Sequence, residues 1–242
     1  MTPETAQAKP GVSGSVLKTV AIVTMLIDHI AAFLYPQIPF LTKTLFTLSI
    51  PNITTKAVTP YYIMRSIGRI AFPLFCFLLV EGWKHSTNRF RYGLCLLIGA
   101  IVSEYTFDLV HGGGLSFTHQ NVFFTLFLGL IGLWLYDRFK DRRCLQAITL
   151  IVLFVVTFFL RTDYSIKGVA FILLIYVAQT ELLVIGLVGC VLLQLASFPA
   201  YLLMGLYNGK RGYIKGPVLK YAFYAFYPVH LTVIYLIQKA LS

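Results

Sequence analysis

An acid and a base stand side by side in the apolar stretch MLIDHI, as Asp28 and His29. Ionisable side chains are costly in hydrocarbon, so those that a membrane segment retains usually mark a pathway or an active site. A buried histidine can act as a general base that takes a proton from an attacking amine or hydroxyl. A nearby carboxylate can hold the imidazole in position and stabilise its charged form. The pair therefore predicts proton-transfer chemistry inside a membrane, with His29 as the base.

Two roles are open for Asp28, because adjacent residues on a helix point about 100° apart. Asp28 either orients His29 directly or pairs with an arginine of another segment. In the second case, an acid from a third segment orients the histidine. Two pairs have the four-residue spacing that places both members on one helix face. The arginines are Arg65 and Arg69, and the acids are Glu104 and Asp108.

Further polar residues suit the binding of a substrate or cofactor. Lys18 and His29 are about three helical turns apart, so they share a face, with His29 about 16 Å deeper. Arginine forks suit phosphate groups or a developing oxyanion, and side-chain amides can hydrogen-bond an acyl carbonyl. The predicted binding residues are Lys18, Arg65, Arg69, Gln120, Asn121, Lys210, Arg211 and His230.

Motifs for several other kinds of chemistry are missing from the sequence. It has no glycine-rich nucleotide-binding loop and no zinc-binding spacing of cysteine and histidine. The stretch HGGGLSF is similar to an oxyanion loop of lipases, but no G-x-S-x-G accompanies it. The four cysteines are scattered in or beside apolar runs, as core thiols are. We therefore expect no metal ion at the site.

Composition predicts an all-α, polytopic membrane helical bundle. Of 242 residues, 58% are apolar and only 12% are charged, whereas about a quarter of residues are charged in soluble domains. The net charge of +11 comes from Lys and Arg in short loops and at helix ends, where such residues set topology and meet anionic lipid. Membrane lipids are therefore expected partners, and nucleic acid is not.

About eight transmembrane helices are expected, since a span needs about twenty mainly apolar residues. The apolar runs are 16–35, 61–80, 91–110, 120–136, 144–160, 167–180, 181–206 and 218–240. The sequence leaves open whether 167–206 holds one span or two, with a break near AQTE. We expect residues 1–15 to form a flexible N-terminal segment and 16–242 a single transmembrane domain. The polar connection 37–60 is expected to hold a surface or re-entrant segment.

The positive-inside rule is nearly balanced for this chain. With the N-terminus inside, the basic loops WKHSTNRFR and DRFKDRRC are also inside. The eight-helix count then places YNGKRGYIKGPVLK outside, at the end of the bundle nearest to His29. Most intramembrane polar groups fall in that same half, which predicts a polar cavity that opens there. The other basic loops favour the N-terminus inside, whereas binding of CoA at YNGKRG would favour the reverse orientation.

Six motifs in a fixed order resemble a known family. They are MLIDHI, RSIGRIAFPLFCFLLVEGWKHS, SEYTFD, QNVFFTLFLG, YNGKRG and YAFYPVHL. With them, the chain resembles the TraX family from Leu17 to Gln238. That family takes its name from a protein that acetylates the terminal amine of pilin. The resemblance implies acetyl-CoA as the donor and a multi-pass protein of the bacterial inner membrane.

The TraX family is itself similar to wider transmembrane acyltransferases, including acyltransferase family 3. Those enzymes carry a basic residue, ten intervening residues and a histidine taken as catalytic, a spacing that Lys18 and His29 reproduce. Their arginine pair has two intervening residues, whereas Arg65 and Arg69 have three between them. The resemblance implies catalysis by His29, and acyl transfer from a cytoplasmic donor towards an acceptor at or beyond the outer face.

The predicted function is transfer of an acetyl or other acyl group from acetyl-CoA to an amine or hydroxyl at the membrane. The acceptor is a protein N-terminus such as that of pilin, a glycan or a small molecule. Two alternatives come from other classes of protein. One is a proton-coupled transporter with Asp28, His29, Glu104 and Asp108 as its relay. The other is a non-catalytic assembly factor for a pilus or secretion machine.

Overall fold

The computed structural model describes residues 10–35, 37–50 and 54–241. Its elements are α1 (Gly14–Leu34), α2 (Pro39–Thr42), β1 (Phe46–Ile50), β2 (Thr54–Val58), α3 (Pro60–Gly68), α4 (Ala71–His85), α5 (Arg89–Val110), α6 (Val122–Arg138), α7 (Arg143–Phe159), α8 (Ser165–Ala178), α9 (Leu182–Leu193), a 3-10 turn (Leu195–Ser197), α10 (Phe198–Gly205) and α11 (Gly216–Leu241). Most of the predicted flexible segment, residues 1–9, lies outside the described residues. Its last two residues already belong to α1.

The predicted all-α membrane bundle is confirmed. The helices follow the apolar runs of the sequence, and α1, the α3–α4 pair and α5 are each long and apolar enough to cross a membrane. Four shorter helical segments are also apolar: α7, α8, α9 and residues 195–205. The connection 37–60 holds the short helix α2 and an antiparallel hairpin of β1 and β2, with Phe46 opposite Val58.

A break separates α3 from α4 and has a local cause. Pro73 has no backbone N–H, and its ring displaces the carbonyl four residues earlier, which belongs to Arg69. The chain tightens there, with the N–H of Arg69 bonded to the carbonyl of Ser66 at 3.2 Å. The break turns α3 so that its last residue, Gly68, packs directly against Asp28 of α1.

Residues 181–206 form a helical hairpin rather than a straight span. The twelve residues of α9 rise only about 18 Å, which is short of the roughly 30 Å of a bilayer core. Gln194 then takes a φ of +129°, and α10 returns along α9. The start of α9 therefore lies beside the end of α10, with Leu182 next to Gly205 and Gly189 against Tyr201. The segment 167–206 is thus α8 followed by this hairpin, with the break near AQTE as expected.

The hairpin returns the chain to the end of the bundle at which α1 begins. The N–H of Val12 donates to the carbonyl of Leu206 at 2.8 Å. The N–H of Ser15 donates to the carbonyl of Arg211 at 2.9 Å. Tyr207 makes an edge contact with Phe77 of α4, with ring centroids 5.3 Å apart. The predicted position of YNGKRG at the opposite end is therefore wrong, because α9 and α10 together do not cross.

The helix ends and loops gather at two ends of the bundle, which we call the basic end and the strand end. The basic end holds the start of α1, the turns 86–88 and 139–142, and the loop 206–215. The strand end holds the end of α1, the β1–β2 hairpin and the loops 111–121 and 160–164. With YNGKRG at the basic end, the three basic loops lie together, and the positive-inside rule is no longer balanced. The rule then predicts the basic end on the cytoplasmic side.

Candidate active site

A pair of histidines on two parallel helices forms the centre of the candidate site. Both α1 and α11 start at the basic end, so His29 and His230 reach a similar depth. Nδ1 of His29 and Nε2 of His230 are 2.7 Å apart, and the two rings lie within 7° of parallel. Nδ1 of His230 is 2.8 Å from the backbone oxygen of Phe226. A continuous hydrogen-bonded chain therefore runs from Phe226 through His230 to His29.

The acceptor at the end of this chain fixes the direction of its hydrogen bonds. A carbonyl oxygen only accepts, so Nδ1 of His230 carries a hydrogen and donates to Phe226. Nε2 of the neutral His230 ring is then an acceptor, which receives the N–H of His29 Nδ1. The remaining nitrogen of His29, Nε2, keeps its lone pair. This arrangement presents His29 as a proton acceptor of defined orientation.

Asp28 pairs with an arginine of α3. Nη1 of Arg65 donates to Oδ2 of Asp28 at 2.5 Å, and both side chains are largely buried. Gly68 permits this approach, because a Cβ at that position would collide with the Asp28 side chain. The other oxygen, Oδ1, is buried and has no hydrogen-bond partner among the described residues. Of the two roles that the sequence left open, the geometry has Asp28 bound to Arg65, while His230 contacts His29.

A small cavity of about 50 Å³ lies beside His29, between α1, α3, α4, α6, α11 and the loop before α8. Its polar lining consists of Asp28, His29, Asp163, Tyr164 and Tyr227. The rest of its wall is apolar, with aromatic rings from α4. We call this space the histidine cavity. It brings a proton acceptor and two carboxylates to one place.

Sequence reasoning missed the part of the cavity wall that comes from the α7–α8 loop. The N–H of Asp163 donates to the carbonyl of Gln120 at 2.8 Å, which ties this loop to the start of α6. Tyr164 has a φ of +60° and stacks on Phe72 with ring centroids 3.6 Å apart. The acid in RTDYS was the available signal. Asp163 looked like an ordinary loop residue, because a tyrosine at position 164 gives no sign that the backbone is left-handed there.

The predicted carbonyl-binding amides have structural partners. Oδ1 of Asn121 accepts the N–H of Phe123 at 3.0 Å, which caps α6. Nδ2 of Asn121 donates to Oε2 of Glu104 at 2.5 Å and to the carbonyl of Ala100 at 2.8 Å. Gln120 contributes its backbone to the pairing with Arg161 at 3.1 Å. Asn121 and Glu104 thus join α5 to α6 instead of facing His29.

The second acid of α5 also has a local partner. Oδ2 of Asp108 accepts the N–H of Ser116 at 2.8 Å and so closes the glycine-rich loop after α5. Neither Glu104 nor Asp108 has a contact with His29 in the described part of the chain. The hypothesis that an acid of α5 orients His29 therefore finds no support in the geometry, and His230 takes that position instead.

Three of the predicted binding residues lie at the basic end, away from the histidine cavity. Lys18 stands about 16 Å along α1 from His29. Lys210 and Arg211 lie in the loop that bonds to the start of the same helix. The sequence predicted that the cations of YNGKRG lie near His29. This prediction is wrong, because the α9–α10 hairpin returns the chain to the basic end. Arg69 stays near the cavity, beside Tyr164.

His119 lies outside the membrane-spanning segments and adjoins the cavity wall. Its Nε2 is 3.8 Å from Oδ1 of Asp163. Interaction with the Asp163 carboxylate raises the pKa of His119 above its ordinary value of 6.5. The loop between α5 and α6 therefore carries a titratable group whose partner lines the cavity.

Comparison with known proteins matches residues 13–238 to the family described as TraX protein. The chain belongs to the TraX family. The resemblance to the TraX family that the sequence predicted is therefore confirmed. This family is associated with pilin acetylation. The match covers α1 to α11 and so includes both histidines of the candidate site.

Two relatives extend the TraX comparison. The chain is 30% identical to a protein named probable fimbrial assembly protein FimC, serogroup H1, from Dichelobacter nodosus, over 90% of this chain and 92% of that protein. It is 29% identical to a protein described as uncharacterized from Rickettsia prowazekii (strain Madrid E), over 68% of this chain and 55% of that protein. No solved structure matches the chain.

Proposed function

We propose that this TraX-family protein is a membrane acetyltransferase that transfers an acetyl group from acetyl-CoA to an amine, with His29 as the general base. The carrying observation is the hydrogen-bonded chain from Phe226 through His230 to His29. It leaves Nε2 of His29 as a proton acceptor in a ring that lines the histidine cavity. A neutral, oriented imidazole is what an attacking amine requires of a base.

The donor would supply an activated acetyl carbonyl and a thiol leaving group when bound. Its phosphates need cations, and the chain offers them at two places. Near the cavity, Arg65 is bound to Asp28 and Arg69 lies beside Tyr164. At the basic end, Lys18, Lys210 and Arg211 take part in none of the ion pairs found within the described ranges. The residues present therefore fit an anionic donor.

His29 performs the proton transfers in this mechanism. Its Nε2 accepts a proton from the amine as the amine nitrogen attacks the acetyl carbon, and it returns a proton to the departing sulfur. His230 holds the ring through its own bond to Phe226 and supports the positive charge that forms on His29. Arg65 interacts electrostatically with His29 and is fixed by Asp28, so it supplies a positioned cation near the developing negative charge.

Two carboxylates favour an amine over a hydroxyl acceptor. Asp28 and Asp163 both line the cavity, and Oδ1 of Asp28 has no bond among the described residues. An amine arrives in water as an ammonium ion, which a carboxylate attracts and which must release one proton to a carboxylate or to solvent before the neutral amine attacks, whereas a hydroxyl gains no such attraction. The small cavity suits a terminal group rather than a bulky one. The family's association with pilin acetylation and the fimbrial name of one relative make a pilin N-terminus the candidate acceptor.

The test is acetyl transfer by the purified full-length protein in nanodiscs, with acetyl-CoA and a peptide that carries a pilin N-terminus. We expect thiol release and a matching acetyl mass on the peptide, both reduced about 10²- to 10⁴-fold in His29→Ala. The exposed His85 at the basic end gives the matched control, His85→Ala, which should retain full activity. A fully active His29→Ala would contradict the mechanism. Proton-driven uptake by proteoliposomes without acetyl-CoA would instead favour the transporter.

A further inference from the structure

We infer that the donor binds in a groove between α1 and α11, with its phosphates on a cation cluster at the basic end. The cluster consists of Lys18, Arg211 and Lys220. This inference rests on the proposed acetyltransferase function and adds to it the location of the phosphate-bearing co-substrate. It also separates the donor site from the arginines beside the histidine cavity.

Two basic residues from other segments act electrostatically on Lys18. These residues are Arg211 and Lys220. The carbonyl of Arg211 accepts the N–H of Ser15 at 2.9 Å and the hydroxyl of Ser15 at 2.7 Å, so this residue is tied to the first turn of α1. None of the ion pairs within residues 10–35, 37–50 and 54–241 includes a member of the cluster. Like charges repel, and a bound phosphate relieves that repulsion.

A groove of about 210 Å³ begins beside this cluster. It is lined by Thr19, Ile22, Ala222, Phe223 and Phe226, and is therefore mainly apolar. The hydroxyls of Thr19 and Tyr213 are 2.5 Å apart, which connects the groove wall to the basic loop.

The inner end of the groove lies at Phe226, which contacts one member of the histidine pair. The ring of Phe226 stacks on His230 with centroids 5.0 Å apart, and the carbonyl of the same residue accepts the His230 hydrogen bond. His230 in turn contacts His29. The groove therefore leads from a site for phosphate to Phe226, whose ring packs on His230, the partner of the proposed base.

The length of this path matches a phosphopantetheine arm. Lys18 and His29 are about 16 Å apart along α1. The arm has about as many main-chain bonds between phosphate and sulfur as four extended residues, which gives roughly 14 Å. With the phosphates on the cluster, the thioester would lie at the depth of the histidine pair. An anionic lipid offers similar phosphate chemistry, but it has no acyl-thioester to present to a base, so the donor is the occupant we choose.

The experiment measures the dissociation constant of CoA for the full-length protein in phosphatidylcholine nanodiscs by calorimetry. We expect Arg211→Gln and Lys220→Gln each to weaken CoA binding about tenfold. Ala222→Trp should fill the groove and abolish binding. Lys140→Gln, in the 139–142 turn at the same end, removes a like charge outside the groove and should bind CoA as the wild type does. Matching melting temperatures establish that the variants are folded.

Each result bears on the groove and on the proposed function separately. Unchanged affinity in all three groove variants, with weaker binding in Arg69→Gln, would place the donor near the cavity and overturn the inference while leaving the acetyltransferase intact. No CoA binding by the wild type would overturn the proposed function itself. If nanodiscs with phosphatidylglycerol prevent CoA binding, and the cluster variants change lipid affinity alone, the cluster is a lipid site and the inference is wrong. CoA binding that survives in His29→Ala supports separate binding and catalytic groups.

Discussion

The charged groups of the two proposed sites, one at each end of this bundle, differ in their partners. At the strand end, the acids near the candidate site have fixed partners: Asp28 holds Arg65, and Glu104 holds Asn121. At the basic end, the acids are engaged elsewhere. Asp137 accepts hydrogen bonds from Trp83 and Tyr176, and Glu81 pairs with Lys84.

The cations of the cluster at the basic end are consequently left without an acidic partner among the described residues. Lys18, Arg211 and Lys220 form no ion pair there. Charges that partners already satisfy keep catalytic groups in place, whereas a group of unsatisfied charges can bind a mobile anion. Under the proposed function, orientation and chemistry belong to one end and recruitment of the donor to the other. This comparison predicts that equal charge removals at the two ends have unequal effects on stability.

Breaking the ion pair at the strand end should have the largest effect on stability. Asp28→Ala leaves Arg65 without its partner in a largely buried position, and we expect a loss of about 3 kcal/mol in the free energy of unfolding. Removing both members, in Asp28→Ala/Arg65→Ala, should recover part of that loss. Arg211→Gln at the basic end should change stability by less than about 0.5 kcal/mol. Unfolding in detergent micelles measures all three, and equal effects at both ends would contradict the comparison.

Replacing the histidine that orients His29 should impair catalysis more than binding. In His230→Leu we expect kcat to fall about 100-fold, which corresponds to about 2.7 kcal/mol, with the KM for acetyl-CoA unchanged. His230→Gln retains an oxygen that can accept the His29 N–H, so it should recover most of the activity. Steady-state kinetics on both variants provide the check. If leucine and glutamine behave alike, His230 does not act through the orientation of His29.

The sequence predicted the helices and the polar residues better than their arrangement. The apolar runs gave most of the helices, and both His29 and His230 were predicted as site residues. Their contact was not predicted, because they are 201 positions apart and meet only if α1 and α11 run parallel. That direction depends on the turn at Gln194, which interrupts an almost wholly apolar run. Hydropathy indicates that a segment prefers an apolar environment. It does not indicate whether that segment crosses the bilayer or turns back.

The sequence also did not predict the structural roles of individual polar residues. Asn121 looked like a ligand for a carbonyl, yet its position before α6 makes it a helix cap. Asp163 looked like a loop residue, yet the backbone pairing of its loop with Gln120 brings it to the cavity wall. A residue type states what a side chain can bond, and only the neighbouring backbone decides which of those bonds forms.

A smaller effect should follow from adding one methyl group at the contact between α1 and α3. In Gly68→Ala the new Cβ overlaps the side chain of Asp28, so one helix must shift, and we expect a loss of about 2 kcal/mol in stability. Gly113→Ala is the matched control, since a Cβ there meets nothing within 4 Å. Thermal unfolding of the two variants compares them directly. Equal melting temperatures would mean that the α1–α3 contact does not require glycine.

The smallest effect should come from the most exposed charge pair at the strand end, His119 and Asp163. Contact with Asp163 raises the pKa of His119 above 6.5, so charged His119 stabilises the folded state fully below pH 6.5. That stabilisation is lost as the pH rises through the raised pKa. The His119 side chain is 51% exposed, so solvent screening limits the effect to less than about 0.5 kcal/mol.

This pH dependence can be assigned to one end of the bundle with two matched histidine variants. The difference in melting temperature between the wild type and His119→Gln should shrink as the pH rises from about 5.5 to 8.5, because only the wild type loses a charged pair. His85→Gln replaces a histidine at the basic end, whose side chain is 71% exposed, and is measured alongside as the comparison variant. A His119 difference that grows with pH would reverse the sign of the linkage. It would then mean that Asp163 does not hold the charged imidazole, and that the wall of the histidine cavity is not coupled to the loop outside the membrane.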